Sequence, residues 1–164
     1  FERKAQAAAS GEKLDYFDPQ TQERYVPYVI EPAAGATRTM AAFLLAAYDE
    51  DEVNGEVRTV LRLHPRLAPY KVAVLPLSKK DTLTPLAHEV RKLLADRYMV
   101  DYDETQNIGK RYRRQDEIGT PLAVTVDFDS LDDNAVTVRD RDTMEQVRVP
   151  IDQLLTTVSE KLGF

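Results

Sequence analysis

Four basic residues lie close together in the second half of the chain, and their types can bind phosphate: Lys110, Arg111, Arg113 and Arg114. If this stretch is helical, residues 110, 113 and 114 share one face and residue 111 turns aside. Such a face can follow a phosphate backbone, and the neighbouring Tyr112 can stack on an unpaired base. The alternative is a solvated helix face whose cations pair with acids such as Asp116 and Glu117. The composition favours the two interpretations equally.

A second charged group lies where strands are expected to end, and it mixes both signs: Glu117, Arg139, Asp140, Arg141 and Asp142. A carboxylate can accept a hydrogen bond from cytosine N4, and an arginine can donate to guanine O6 and N7. This group could therefore read base edges. The alternative for the Arg-Asp-Arg-Asp run is a turn held by its own salt bridges.

Two more candidates lie near the N-terminus. Arg38 stands at the start of a helix pattern, where free N–H groups and the helix dipole favour anions, although it could instead pair with a surface acid. Glu31 is expected at a strand end, where it could meet a small substrate or cap the next turn. His64 and His88 have no second ligand at metal-binding spacing, so no metal site is expected.

The first part of the chain must position Glu31 and Arg38. We expect a short helix over residues 1–10, then a hairpin with strands 13–17 and 24–31 around the turn-forming Asp18-Pro19. A helix should run from Thr37 to about Tyr48, with apolar residues at helical spacing. The acidic residues 49–52 are expected to form a turn together with Asn54-Gly55, and an extended segment should follow over residues 58–63.

The second part predicts an α/β domain. A proline-rich linker at residues 64–69 marks the boundary, so we divide the chain into domains 1–66 and 67–164. Beyond it the element order β-α-β-α-β-β-β-α indicates a mixed five-stranded sheet flanked by helices. The strands are expected at 71–77, 98–102, 122–126, 136–139 and 145–149, with helices opening at 84, 109 and 151.

Composition limits the classes of function. The chain has 164 residues, no cysteine and a formal net charge of −6. The acidic total argues against a general nucleic-acid binder, so DNA is not an expected partner, while a local basic patch could still read a few nucleotides. No apolar run is long enough to span a bilayer, so no membrane partner is expected. The absence of cysteine fits a reducing compartment, and a cytoplasmic location is expected. Because no initiator Met is present, we expect a part of a longer polypeptide.

Two stretches resemble a known family. Residues 29–38, Val-Ile-Glu-Pro-Ala-Ala-Gly-Ala-Thr-Arg, resemble the third signature motif of class II aminoacyl-tRNA synthetases. Residues 107–121 and 136–146 resemble the anticodon-binding domain shared by the glycyl, histidyl, prolyl and threonyl synthetases. The run Arg-Asp-Arg-Asp-Thr-Met-Glu-Gln and the Glu-Pro pair favour the dimeric glycyl type. The resemblance covers nearly the whole chain.

The resemblance implies a glycine–tRNA ligase, which attaches glycine to tRNA-Gly at the expense of ATP with Mg²⁺ and works as a homodimer. Residues 1–66 would be the end of the class II catalytic core, and residues 67–164 the anticodon-binding domain. The first two signature motifs of the family are missing here. We therefore expect that these 164 residues alone form no adenylate.

Residue roles follow from the same resemblance. Arg38 matches a catalytic arginine that binds ATP. Glu31 matches the glutamate that meets the amino group of glycine, and it is also assigned to the ATP-binding site. The family usually has Ser two residues after this glutamate. Ala33 stands there instead, so one hydrogen bond to glycine is lost at this substrate-binding position.

The implied anticodon-binding residues form a longer set: Lys110, Arg111, Arg114, Glu117, Arg139, Asp140 and Arg141. A glycine anticodon carries two cytosines, which suits carboxylates in this set, and the pairing of residue with base stays open. The alternative function is a non-catalytic, synthetase-like nucleic-acid-binding module or accessory subunit. A nucleotide-binding regulator is disfavoured because no phosphate loop follows Leu77.

Overall fold

The computed structural model describes residues 2–28 and 30–164. The chain forms two compact units, Phe1–Ala36 and Thr37–Phe164. The boundary expected at residue 67 stays a prediction. No helix in the described ranges is both long and apolar enough to cross a bilayer.

The first unit contains one helix and a small hairpin. Helix α1 spans Glu2–Ser10, and strands β1 (Tyr16–Phe17) and β2 (Arg24–Tyr25) pair antiparallel, which confirms the predicted hairpin. The strands are shorter than predicted, and Glu31 lies in irregular backbone instead of at a strand end; Val29 lies outside the described residues. Proline at 27 and 32 supplies no N–H to extend the ladder.

The second unit opens with a helix and a hairpin. Helix α2 spans Ala36–Ala47 and leads directly into β3 (Tyr48–Val53), which pairs antiparallel with β4 (Glu56–Leu61). Asn54 and Gly55, at φ values of 55° and 80°, form the two-residue turn.

The expected turn at residues 49–52 is wrong, because these acidic residues lie in β3. Arginines on the facing strand explain the difference. Asp51 sits opposite Arg58 and accepts hydrogen bonds from it, and Arg62 bonds both Asp49 and Asp51. Such opposite-charge pairs across strands stabilise a hairpin that the acidic residues alone would disfavour.

The predicted five-stranded mixed sheet is confirmed, in the order β6-β5-β7-β8-β9. Its strands are β5 (Val72–Pro76), β6 (Val100–Tyr102), β7 (Leu122–Val126), β8 (Ala135–Asp140) and β9 (Gln146–Pro150). Strand β5 is parallel to β6 and β7, and β8 runs antiparallel to its two neighbours, β7 and β9. The helices are α3 (Thr84–Ala95), α4 (Ile108–Ile118), α5 (Ser130–Asp133) and α6 (Leu154–Leu162), the last preceded by a 3₁₀ turn over Ile151–Gln153.

The sheet is covered unequally on its two faces. One face carries the main core, where valines and leucines of β5, β7 and β8 pack against α3 and α6. On the other face α4 covers a smaller group, with Ile108 and Tyr112 packed on Ala73, Leu75 and Ala123. All five residues of β5 are buried, which explains its continuous apolar run.

Candidate nucleic-acid interface

A cavity lies on the α4 face of the sheet, next to the part that α4 covers. We call it the sheet cavity; its volume is about 250 Å³, and its lining residues are Leu77, Ile108, Tyr112, Thr125, Asp127, Thr137 and Gln146. It opens near the carboxyl ends of β5 and β7, because Leu77 and Asp127 directly follow those strands.

Strand register explains the polar floor of the sheet cavity. Side chains alternate between faces along a strand, so Thr125 shares the α4 face with Ala123, whereas Val124 and Val126 belong to the main core. Thr125 is opposite Thr137 in the β7–β8 pairing. Two hydroxyls therefore lie side by side on the α4 face of the sheet.

Tyr112 forms the α4 wall of the sheet cavity and is held on two sides. Its hydroxyl lies 2.6 Å from the Thr125 hydroxyl. The guanidinium carbon of Arg139 lies 4.8 Å from its ring centroid, within cation–π distance. The orientation of the ring is therefore fixed, and its hydroxyl group already has a hydrogen-bond partner.

Asp127 supplies a negative charge at the rim. Arg148 donates to it at 2.6 Å, and the Ser130 hydroxyl donates at 2.9 Å. Burial opposes ionisation of Asp127, but the hydrogen bonds from Arg148 and Ser130 outweigh it and lower its pKa. The carboxylate is thus an ionised acceptor at neutral pH.

This lining suits a small planar group with polar edges. Drug-sized ligands occupy pockets of about 300–1,000 Å³, so the sheet cavity takes something smaller. Ile108 and Leu77 offer apolar contact, and the hydroxyls, the Gln146 amide and the Asp127 carboxylate offer donors and acceptors. An unpaired nucleobase has such a shape and such edges.

The basic residues of α4 divide as the helical spacing predicts. Lys110 is exposed, and Arg114 is partly exposed and bonds Asp103 at 2.9 Å. Arg111 turns inward and is 2 % exposed. Its guanidinium donates to the carbonyls of Pro76, Thr105 and Gln106, so it ties α4 to the end of β5. Its contact with nucleic acid stays a prediction, as do those of Lys110 and Arg114.

The Arg-Asp-Arg-Asp run forms the turned end of β8, and its arginines point inward. Arg139 and Arg141 are 6 % and 3 % exposed. Arg141 donates to the carbonyls of Leu63 and Gly119 and pairs with Asp142, which agrees with the salt-bridged-turn interpretation. Asp140 accepts the N–H groups of Asp142 and Thr143.

Among the predicted anticodon-binding residues, Glu117 on α4 is exposed and Asp140 is half-buried. Asp140 ends β8, and Glu117 precedes the last residue of α4. A role in base recognition stays a prediction for both.

The N-terminal candidates fall in both compact units. Glu31 and Ala33 are exposed in the first unit, and Arg38 is exposed in the first turn of α2 in the second. Arg38 and Phe43 line an open groove of about 450 Å³ along α2. The apolar face expected on this helix exists, and Met40, Phe43 and Leu44 are exposed on it.

The comparison with protein families bears directly on the cavity-bearing segment. The family described as "Anticodon binding domain" matches residues 71–161, more than half of the chain. That segment contains all five strands of the sheet and every residue that lines the sheet cavity. The chain belongs to the anticodon-binding domain family.

Two relatives that align with almost the whole chain carry the same name. The protein named glycine–tRNA ligase in Bacillus anthracis is 59 % identical over 164 residues, which is 100 % of this chain and 35 % of that protein. The one from Corynebacterium glutamicum is 58 % identical over 167 aligned residues, covering 99 % of this chain and 36 % of the relative. The chain thus spans about a third of the length of these curated relatives.

A solved structure shares the fold of the anticodon-binding domain. The prolyl-tRNA synthetase from Cryptosporidium parvum, crystallised with halofuginone and AMPPNP, aligns with a TM-score of 0.60 at 24 % identity. The alignment covers 63 % of this chain and 22 % of that one. The likeness shows that nearly two thirds of this chain shares its fold with a part of that synthetase.

Sequence reasoning missed most of the lining of the sheet cavity in this anticodon-binding domain. Thr125 and Asp127 had a signal, since the alternation along residues 122–127 puts them on a half-polar face. Thr137 and Gln146 had none, because their position depends on how β8 and β9 pair with β7.

Proposed function

We propose that this chain is the tRNA-reading part of a glycine–tRNA ligase. The observation that supports this most is the identity of 59 % across all 164 residues with a protein of that name. An identity of this level over the whole chain favours a shared role in addition to a shared fold. The alternative of a non-catalytic module is favoured by Ala33, which stands in place of the expected Ser, and it is also left open by the two signature motifs not found in these residues.

In this proposal the sheet cavity receives an anticodon base. Anticodon bases are unpaired, so a protein can stack on one face and bond its Watson–Crick edge. Tyr112 would stack on the base, and the two threonine hydroxyls would lie along its edge. The ionised Asp127 is the acceptor that the N4 amino group of a cytosine requires.

Basic residues around the sheet cavity would hold the phosphates. Lys110 is exposed at the start of α4, and Lys79 and Lys80 are exposed just after β5. Lys80 also lies 5.0 Å from the ring centroid of Phe128 beside the same edge of the sheet. Lys79 pairs with Glu104 at 2.9 Å, so in this proposal Lys110 and Lys80 supply most of the positive charge beside the sheet cavity, in a chain whose net charge is −6.

The catalytic roles belong to the whole ligase. Glu31 would meet the ammonium of glycine, with Ala33 beside it, and Arg38 would bind ATP at the start of α2. Among the described residues no group of His, Asp and Glu could hold a metal ion. We therefore assign the Mg²⁺ to the ATP triphosphate in the complete, homodimeric and cytoplasmic enzyme.

The test is binding of this chain to tRNA-Gly transcripts at physiological salt. One transcript carries the native anticodon, and in the other the two cytosines, at the second and third anticodon positions, are replaced. We expect the native transcript to bind about 10-fold or more tightly, since one good base contact is worth about 1–3 kcal/mol. Equal affinity for both transcripts would contradict anticodon reading by this chain.

A further inference from the structure

Charged side chains are buried where the β3–β4 hairpin packs against α4. Arg58 of β4 is 1 % exposed. Its guanidinium pairs with Asp51 on the neighbouring strand and with Asp116 on α4 at 3.3 Å, and it also donates to the carbonyl of Arg141 at 2.9 Å. Every polar edge of this side chain is therefore used inside the protein.

Asp116 is shared by two arginines. It is 1 % exposed, and Arg139 of β8 donates to its two oxygens at 2.9 Å and 3.1 Å, while Arg58 binds one of them. Such a buried cluster carries a large desolvation cost and is weak grounds for stability by itself. Its fork geometry does fix orientation, because a planar guanidinium bound at both ends cannot rotate.

The cluster reaches the sheet cavity through Arg139. The guanidinium that Asp116 holds lies 4.8 Å from the ring centroid of Tyr112, the wall of the sheet cavity. The order of contact is thus Arg58, Asp116, Arg139, Tyr112. Arg58 and Asp116 are absent from the lining of the sheet cavity, and the side-chain contact that joins them to its wall runs through Arg139.

We propose that Arg58 and Asp116 are positioning residues for base recognition. They hold the Arg139 guanidinium against Tyr112. The ring then keeps the orientation in which the sheet cavity distinguishes the correct base from a wrong one. The hairpin that precedes the sheet in sequence is then part of the specificity of the anticodon site. This inference rests on the proposed function, and the competing explanation is a cluster that only attaches the hairpin to α4.

The test measures discrimination in addition to stability. The affinities of the chain for native and cytosine-replaced tRNA-Gly are compared in wild type, Arg58→Met and Arg58→Lys. The matched control is Arg62→Met, which removes an arginine that directly follows β4. Arg62 pairs with Asp49, Asp51 and Asp142 but not with Asp116. Thermal unfolding establishes the temperature at which each variant is folded.

We expect the ratio of the two affinities to fall about threefold or more in the folded Arg58 variants, and to stay at the wild-type value in Arg62→Met. If Arg58→Met does not fold, Arg58→Lys carries the test, because it keeps the charge and loses the fork. Wild-type discrimination in a folded Arg58 variant, or an equal loss in Arg62→Met, overturns the positioning role alone. A wild-type chain without discrimination overturns the proposed function together with this inference.

Discussion

At the residue scale, the structure separates arginines that hold the protein together from groups that can meet a ligand. Arg111, Arg139 and Arg141 are buried and bonded to carbonyls or carboxylates. The groups that line the sheet cavity are different: threonine hydroxyls, the Asp127 carboxylate and the Tyr112 ring. The sequence signals charge strongly, and it does not show which charged side chain is already paired.

Tyr112 offers the sharpest test at this scale. Replacing Tyr112 with Leu should weaken binding of native tRNA-Gly by about 1–3 kcal/mol, because stacking between a base and an aromatic ring is worth about that much. Tyr112→Phe keeps the ring and removes only the hydroxyl that bonds Thr125. It should bind within a few-fold of wild type, and equal losses in both variants would contradict stacking as the main contribution.

At the element scale, helix α4 has two tasks that its sequence shows only in part. Its capping is plain from the residues: Asn107 accepts the N–H of Lys110, and Gly119 ends the helix in the left-handed region. Its packing against the hairpin depends on long-range contacts. A β-carbon built on Gly119 would lie 2.8 Å from the carbonyl oxygen of Leu61 in β4.

Gly119→Ala should therefore destabilise the chain more than Gly163→Ala. Both positions have positive φ, at 82° and 76°, so both substitutions incur a backbone cost of about 1–2 kcal/mol. Gly163 ends α6, and a β-carbon added there would meet no atom within 4 Å. A β-carbon added at Gly119 would meet the backbone of Leu61. Urea unfolding should show the larger loss for Gly119→Ala, and equal losses would mean that the contact with β4 is unimportant.

The elements of the five-stranded sheet were largely predictable from the sequence, and the β3–β4 hairpin was not. The apolar run of β5 and the proline at the start of α3 identify their elements locally. The prediction of a turn at residues 49–52 was wrong because their strand conformation depends on Arg58 and Arg62, which lie several residues further along the chain. The sheet cavity was beyond prediction for the same reason, since it needs the pairing of three strands and the position of α4.

At the scale of the whole molecule, aspartates paired with arginines make the fold sensitive to acid. The pKa values of Asp103, Asp127 and Asp142 are lowered, since hydrogen bonds and arginine charges outweigh the opposing effect of burial. A carboxyl group whose pKa is lower in the folded than in the unfolded state stabilises the fold at pH values above its unfolded pKa, which is about 3.9 for Asp. This stabilisation is lost as the pH falls through the folded pKa.

We therefore expect the free energy of unfolding to decrease as the pH falls below about 4. Urea unfolding measured between neutral pH and about pH 2 checks this. Asp103→Asn removes one titrating group and should make the loss at low pH smaller. A chain that becomes more stable on acidification would contradict the sign of these shifts.

The central claim is that an anticodon nucleotide enters the sheet cavity. It is tested most directly by photo-cross-linking from p-azidophenylalanine placed at Leu77, which lines the cavity and is 39 % exposed. The control position is Met99, which is 65 % exposed and precedes β6 at the opposite, amino edge of the parallel strands. We predict that the probe at 77 cross-links tRNA-Gly at anticodon nucleotides and that the probe at 99 does not. Cross-links from 77 that map outside the anticodon loop, or anticodon cross-links from 99 alone, would contradict the account.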